Sequence, residues 1–176
     1  MFCAAAVLLV AVPAHAQRRM PHANAAAVGA EVGVFVPQAD GMTSGLNVAG
    51  FFEHYLTARD SLRVAVEFAQ PRVARETSDS VRQVRVGGDV VHNWEGGTIH
   101  PFVGAGLGAY FLQSRDNGHS IGDGATKFGG TILGGLEFFT SKAFAVKGEI
   151  RYDVVTKWND YNPSGLALTI GAKGYF

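Results

Sequence analysis

Apolar and small residues recur at every second position along most of this chain. Val28, Ala30, Val32, Val34 and Val36 alternate with Gly29, Glu31, Gly33 and Phe35, and Phe144, Val146, Gly148, Ile150, Tyr152 and Val154 alternate with Lys147, Glu149, Arg151 and Asp153. The same period runs through 46–53, 62–68, 84–91, 103–111, 128–138 and 166–176. Successive side chains of a strand point to opposite faces, so the pattern predicts eight strands. No window after the N-terminal segment holds a glycine-free apolar stripe at helical spacing. The runs are roughly 9–13 residues, longer than the common globular strand of about 5–6 and matched to the about 9–11 that a tilted strand needs to cross a bilayer.

The connections alternate in length. Short ones are expected near 57–61, 95–98 and 140–142, and longer polar ones at 37–44, 70–80, 113–127 and 157–164. Antiparallel succession puts the short turns at one end and the long loops at the other, and an even strand number brings both termini to the short-turn end.

The two faces differ in chemistry. One carries Glu31, Glu53, Glu67, Asp89, Glu137, Glu149 and Asp153 with Arg63, Arg85, Lys147, Arg151 and Lys173. Gly29, Gly33, Gly87, Gly104, Gly106, Gly108, Gly129, Gly135, Gly165 and Gly171 share that face. The other is aliphatic in its middle, with Phe68, Phe111, Phe128 and Tyr152 toward the long loops and Phe52, Trp94, Phe138, Phe144 and Phe176 toward the short turns. An apolar outer face with aromatic girdles and a charged, glycine-lined interior is the inverse of a soluble barrel. The expected fold is therefore all-β, an eight-stranded antiparallel up-and-down transmembrane β-barrel over 26–176. A soluble lipocalin-like carrier is the remote alternative, since it would expose that aliphatic face to water.

Composition agrees. The 23 glycines among 176 residues are nearly twice the average usage of about 7% and suit a narrow lumen filled by alternating small and large residues. A formal net charge of +0 gives no field to steer the chain toward nucleic acid. The opening "MFCAAAVLLVAVPAHAQRR" ends its apolar run in Ala14-His15-Ala16 and reads as a secretory signal, 1–16, cleaved after Ala16, although no basic residue precedes the run. Residues 17–25 then form a short periplasmic lead. Cys3 is the only cysteine, so the mature chain has no disulfide.

The last strand ends in Thr169, Gly171, Gly174 and Phe176, the spacing polar, x, Gly, x, x, hydrophobic, x, aromatic, with Gly174 where a bulky apolar residue is usual. The stretch "VAGFFEHYLTARDSLRVAVEFA" has a Glu-x-Tyr before a turn. In these features the chain resembles the small outer-membrane β-barrel proteins of the OmpA-barrel and OmpX type. The resemblance implies residence in the outer membrane, contact with its lipid and lipopolysaccharide, and folding by the barrel assembly machinery through that C-terminal signal.

Chemistry-bearing candidates are few. "GAGLGA" at 104–109 matches a dinucleotide fingerprint, but no helix pattern follows it, and its glycines share one strand face. Lys147, Glu149, Arg151 and Asp153, with Glu137 and Lys173 on the neighbouring strands, are expected to form an interior charge network that plugs the barrel, a gated ion path being the alternative. The six histidines show no metal-ligand spacing, and neither a metal nor a cofactor is implied. His119 with Ser120 in the loop 113–127 would be the only basis for a lipid A-modifying enzyme, and no catalytic residue is assigned. Trp158 and Tyr161 in the last long loop are the candidates for contact with an unknown surface ligand.

Overall fold

The computed structural model describes residues 21–74, 79–95, 97–158 and 161–176. Eight strands follow in order: β1 (Ala26–Pro37), β2 (Met42–Tyr55), β3 (Asp60–Val73), β4 (Ser80–Asn93), β5 (Ile99–Asp116), β6 (His119–Ser141), β7 (Phe144–Val155) and β8 (Gly165–Tyr175). Each pairs antiparallel with the next, and β1 also pairs with β8, so the sheet closes. The expected signal segment lies outside the described residues.

Closure is the element that hydrocarbon demands, because an unpaired backbone amide or carbonyl there costs several kcal/mol. The seam is continuous from Pro37↔Gly165 to Ala27↔Tyr175. Just beyond it, the Phe176 amide donates to the Ala26 carbonyl at 2.8 Å and the Ala26 amide to the Phe176 carbonyl at 3.0 Å. The start of β1 and the end of β8 therefore meet at the short-turn end.

The two-residue period becomes a strict inside–outside alternation. Along β7 Ala145, Lys147, Glu149, Arg151, Asp153 and Val155 are buried or nearly so, while Phe144, Val146, Ile150 and Val154 face out. Outward Leu107, Phe128 and Ile170 are 74%, 72% and 69% exposed, whereas Lys173 and Glu53 are fully buried. Such a surface is far more apolar than a water-soluble barrel tolerates and suits lipid.

One expected loop is a hairpin instead. Residues 113–127 continue β5 and β6, which pair up to Asp116↔His119 across the turn Asn117-Gly118. Asn117 and Gly118 have φ of 48° and 81°, the two positive values of a tight hairpin turn whose twist matches that of its strands. His119 and Ser120 are accordingly on β6, not in a loop. Two other long connections shorten too: β1 ends at Pro37 and β2 starts at Met42, and β3 ends at Val73 and β4 starts at Ser80. Among the described residues the asymmetry between the two ends therefore resides mainly in the protruding β5–β6 hairpin.

Candidate functional site

The interior is a stack of charged and aromatic side chains held by every second residue of the strands. Nearest the short turns, Lys173 on β8 donates to Glu137 on β6 and to the Tyr55 hydroxyl on β2, both at 2.7 Å, and pairs with Glu53 at 2.9 Å. The Tyr175 hydroxyl donates to the other oxygen of Glu137 at 2.5 Å. Ala27 and Ala145 pack beside the two tyrosines, and their small size leaves room for the rings.

At mid-height Lys147 donates to Glu31 at 2.6 Å and to Glu149 at 2.8 Å. Arg63 reaches Glu149 at 2.7 Å and Glu53 at 3.2 Å. The same cations lie over aromatic faces: Lys147 Nζ is 4.5 Å from the Phe51 ring centroid and 4.9 Å from that of Phe102. Two rings thus shield the charges while adding cation–π attraction.

Toward the long loops Arg85 pairs with Glu67 at 2.8 Å and Asp89 at 2.6 Å. Arg151 pairs with the other Glu67 oxygen and, at 3.4 Å, with Asp153. Asp153 also accepts from Tyr110 at 3.0 Å and Thr131 at 2.8 Å. The buried carboxylates outnumber the buried lysines and arginines. Hydroxyl donors fill the difference: Ser61 to Glu53, Thr169 to Glu31, and Tyr110 with Thr131 to Asp153.

Glycines make this packing possible. A Cβ on Gly106 would lie 2.1 Å from an Asp89 carboxylate oxygen and 2.3 Å from the Gly88 carbonyl, and one on Gly87 would lie 2.6 Å from the Arg85 guanidinium carbon. The "GAGLGA" stretch is therefore a floor for Arg85 and Asp89. Phe35, Ala69 and Ala167 cover the stack at the long-loop end.

All six residues of the interior set meet in this stack. Glu137 and Lys173 contact each other directly, and Lys147, Glu149, Arg151 and Asp153 are linked through Glu31, Arg63 and Glu67. Of the C-terminal set, Thr169 bonds Glu31 at 2.6 Å, and the missing side chain of Gly171 leaves space for it, a Cβ there falling 2.6 Å from Glu31 Cγ. Gly174 faces open space and Phe176 is exposed. Trp158 and Tyr161 exchange backbone hydrogen bonds, both at 2.9 Å. The Tyr161 hydroxyl is buried, and that burial pushes its phenol above the usual range.

Sequence reasoning passed over Tyr55, Tyr110, Tyr175, Phe51 and Phe102 as network members. The usable signal was position: Glu53 and Tyr55, and Lys173 and Tyr175, are two-residue neighbours on the charged face. Among the described residues no group of three or more histidines, cysteines or carboxylates is arranged to hold a metal. His119 forms no hydrogen bond with Ser120 among the described residues; it stands opposite Asp116 at the hairpin tip, and Ser120 stands opposite Arg115.

A closed barrel with a lipid-facing aliphatic exterior and a charged interior defines an integral outer-membrane protein. Residues 2–176 match the family described as outer membrane protein beta-barrel domain, and the chain belongs to that family. Solved structures share the fold. Neisserial surface protein A superposes with a TM-score of 0.66 at 16% identity, covering 86% of this chain and 96% of that one. The attachment invasion locus protein Ail of Yersinia pestis gives 0.59 at 16%, covering 88% and 99%, and has also been solved with the heparin analogue sucrose octasulfate. The outer membrane enzyme PagL gives 0.50 at 17%, covering 84% and 97%. None of the curated proteins matches the sequence.

Proposed function

We propose that the protein is a structural and surface-interaction barrel with a lumen closed to solutes, and that it does no catalysis. The observation that supports this reading is the stack of ion pairs and rings from Tyr175 to Phe35, which fills the strand interior with side chains and leaves beside Arg85 a void too small for a water column. The fold alone does not decide, because it also serves an enzyme.

In this reading the long-loop end, with the β5–β6 hairpin and Trp158 and Tyr161, faces outward and meets surface ligands. The termini and short turns face the periplasm. The outward face contacts outer-membrane lipid and lipopolysaccharide. Thr169, Gly171, Gly174 and Phe176 are the segment offered to the barrel assembly machinery, after export and cleavage following Ala16. No cofactor and no nucleic acid enters the reading.

Planar-bilayer recording of the purified barrel tests it. The expected trace shows no discrete conductance steps, while Lys147→Ala with Arg63→Ala, which opens the middle of the stack, introduces them. Steps in the unaltered protein would instead make it a narrow channel.

A further inference from the structure

Three arginines stand together on the lipid-facing side of the barrel, just beyond the aromatic girdle of the long-loop end. Arg72 on β3 and Arg115 on β5 both stand opposite Ser80 on β4, and Arg82 on β4 stands opposite Gln113 on β5. The register set by the membrane-facing pairs Phe68↔Val84 and Val84↔Phe111 is kept, on β3–β4 across a gap at Gln70 and Pro71, so these arginines continue the outward rows. Adjacent strands lie about 4.8 Å apart, which puts the outer two arginines about 10 Å from each other across Ser80.

Five observations mark this patch as built for an anion. Ser80 is on the outward face yet only 8% exposed. Its hydroxyl accepts from Gln70 at 2.9 Å. The Arg115 Nε is buried with no hydrogen-bond partner. Arg82 lies over the Phe68 ring, 5.5 Å from its centroid, which holds it at the girdle. No salt bridge among the described residues pairs Arg72, Arg82 or Arg115 with a carboxylate, in contrast to every buried lysine and arginine of the lumen.

Height selects the ligand. Two strand residues rise about 6.7 Å, and a tilt near 40° reduces this to about 5 Å along the membrane normal. Arg82 is one such step beyond the Val84 row, and Arg72 and Arg115 are two, so the guanidinium groups occupy the layer about 5–10 Å above the hydrocarbon boundary, where headgroups lie. Below them Val84, Phe111 and Phe128 offer an apolar surface for acyl chains.

We propose that Arg72, Arg82 and Arg115 form a site for the phosphate groups of a phosphorylated lipid of the outer leaflet, its acyl chains lying along β4–β6. Guanidinium forks suit phosphate oxygens, and the unpartnered Arg115 Nε supplies a donor already desolvated. The site rests on the orientation proposed above and names the lipid contact more closely.

The test uses the purified full barrel in dodecyl maltoside micelles carrying diphosphoryl lipid A, the same lipid stripped of both phosphates, or neither. Retention of lipid by the barrel is read by native mass spectrometry. The diphosphoryl lipid is expected to be retained and the stripped one not. Each Arg→Gln change should weaken retention about fivefold, and the triple variant about a hundredfold, at about 1 kcal/mol per basic group. Heat-modifiable gel mobility verifies that each variant is folded. Equal retention by the folded triple variant, or of the stripped lipid, would overturn the proposal, as would full displacement by millimolar inorganic phosphate. Labelling of Gly118→Cys on intact cells by an impermeant maleimide checks orientation separately; without label, it is the orientation that fails.

Discussion

Lys147 shows how much one interior residue carries. Its ammonium group serves Glu31 and Glu149 together, and among the described residues Glu31 has no other cation within ion-pair distance. Removing one partner of a buried pair leaves an uncompensated charge, which costs about 3–5 kcal/mol. Lys147→Met should therefore lower the unfolding free energy in detergent by about that amount, and adding Glu31→Gln should recover a large part of it. A double variant no more stable than Lys147→Met alone would show that Glu31 is not the strained partner. Gly106→Ala tests the opposite fault, excess volume. Its Cβ meets a carbonyl as well as Asp89, and overpacking of this kind costs about 1–3 kcal/mol. The measurement is the denaturant midpoint, and an unchanged midpoint would contradict the packing. Asn47, whose two amide atoms are both buried and unpartnered, lies with Gln83 beside Arg85 at a small void. A mix of orphan donors and acceptors suits water, and a crystal structure should show an ordered water bridging Asn47 and Gln83.

At the scale of the element, the β5–β6 hairpin and the β1–β8 seam carry separate loads. The hairpin projects beyond the girdle on a turn that needs positive φ at Asn117 and Gly118. Gly118→Val should fray the tip, seen as faster amide exchange from Gln113 to Ala125, while heat-modifiable mobility of the barrel stays unchanged. The seam depends on residues at the end of β8 that also serve the lumen: Thr169 holds Glu31, and Phe176 closes on Ala26. Phe176→Ala keeps the backbone bonds and removes only the ring. A slower appearance of folded protein in the outer membrane, with unaltered stability once folded, would separate recognition by the assembly machinery from closure. Equal folding rates would refute a role of the ring in assembly.

For the whole molecule, strand number, facing and closure were legible in the sequence because a barrel in lipid writes its inside and outside into alternate residues. Glu31, Glu53, Lys147 and Lys173 are interior by parity alone, and all are buried. Parity does not reach across strands. Which carboxylate meets which cation depends on register and tilt, so the Arg63–Glu149 and Lys173–Glu53 pairs emerge only when the sheet closes. The extended hairpin escaped the sequence reading because 113–127 is polar on both faces once it leaves the membrane, which erases the period; only Asn117-Gly118 marked it. The arginine patch was hidden for a related reason. Arg72, Arg82 and Arg115 are far apart in the chain and join through two strand registers around Ser80. By itself, then, the sequence determined a closed barrel turned inside out for lipid, since local alternation is set by the solvent on each face. Tertiary structure alone decided the partners within the lumen and the grouping of charge at its rim, since these are contacts between strands, and contacts between strands are fixed by register.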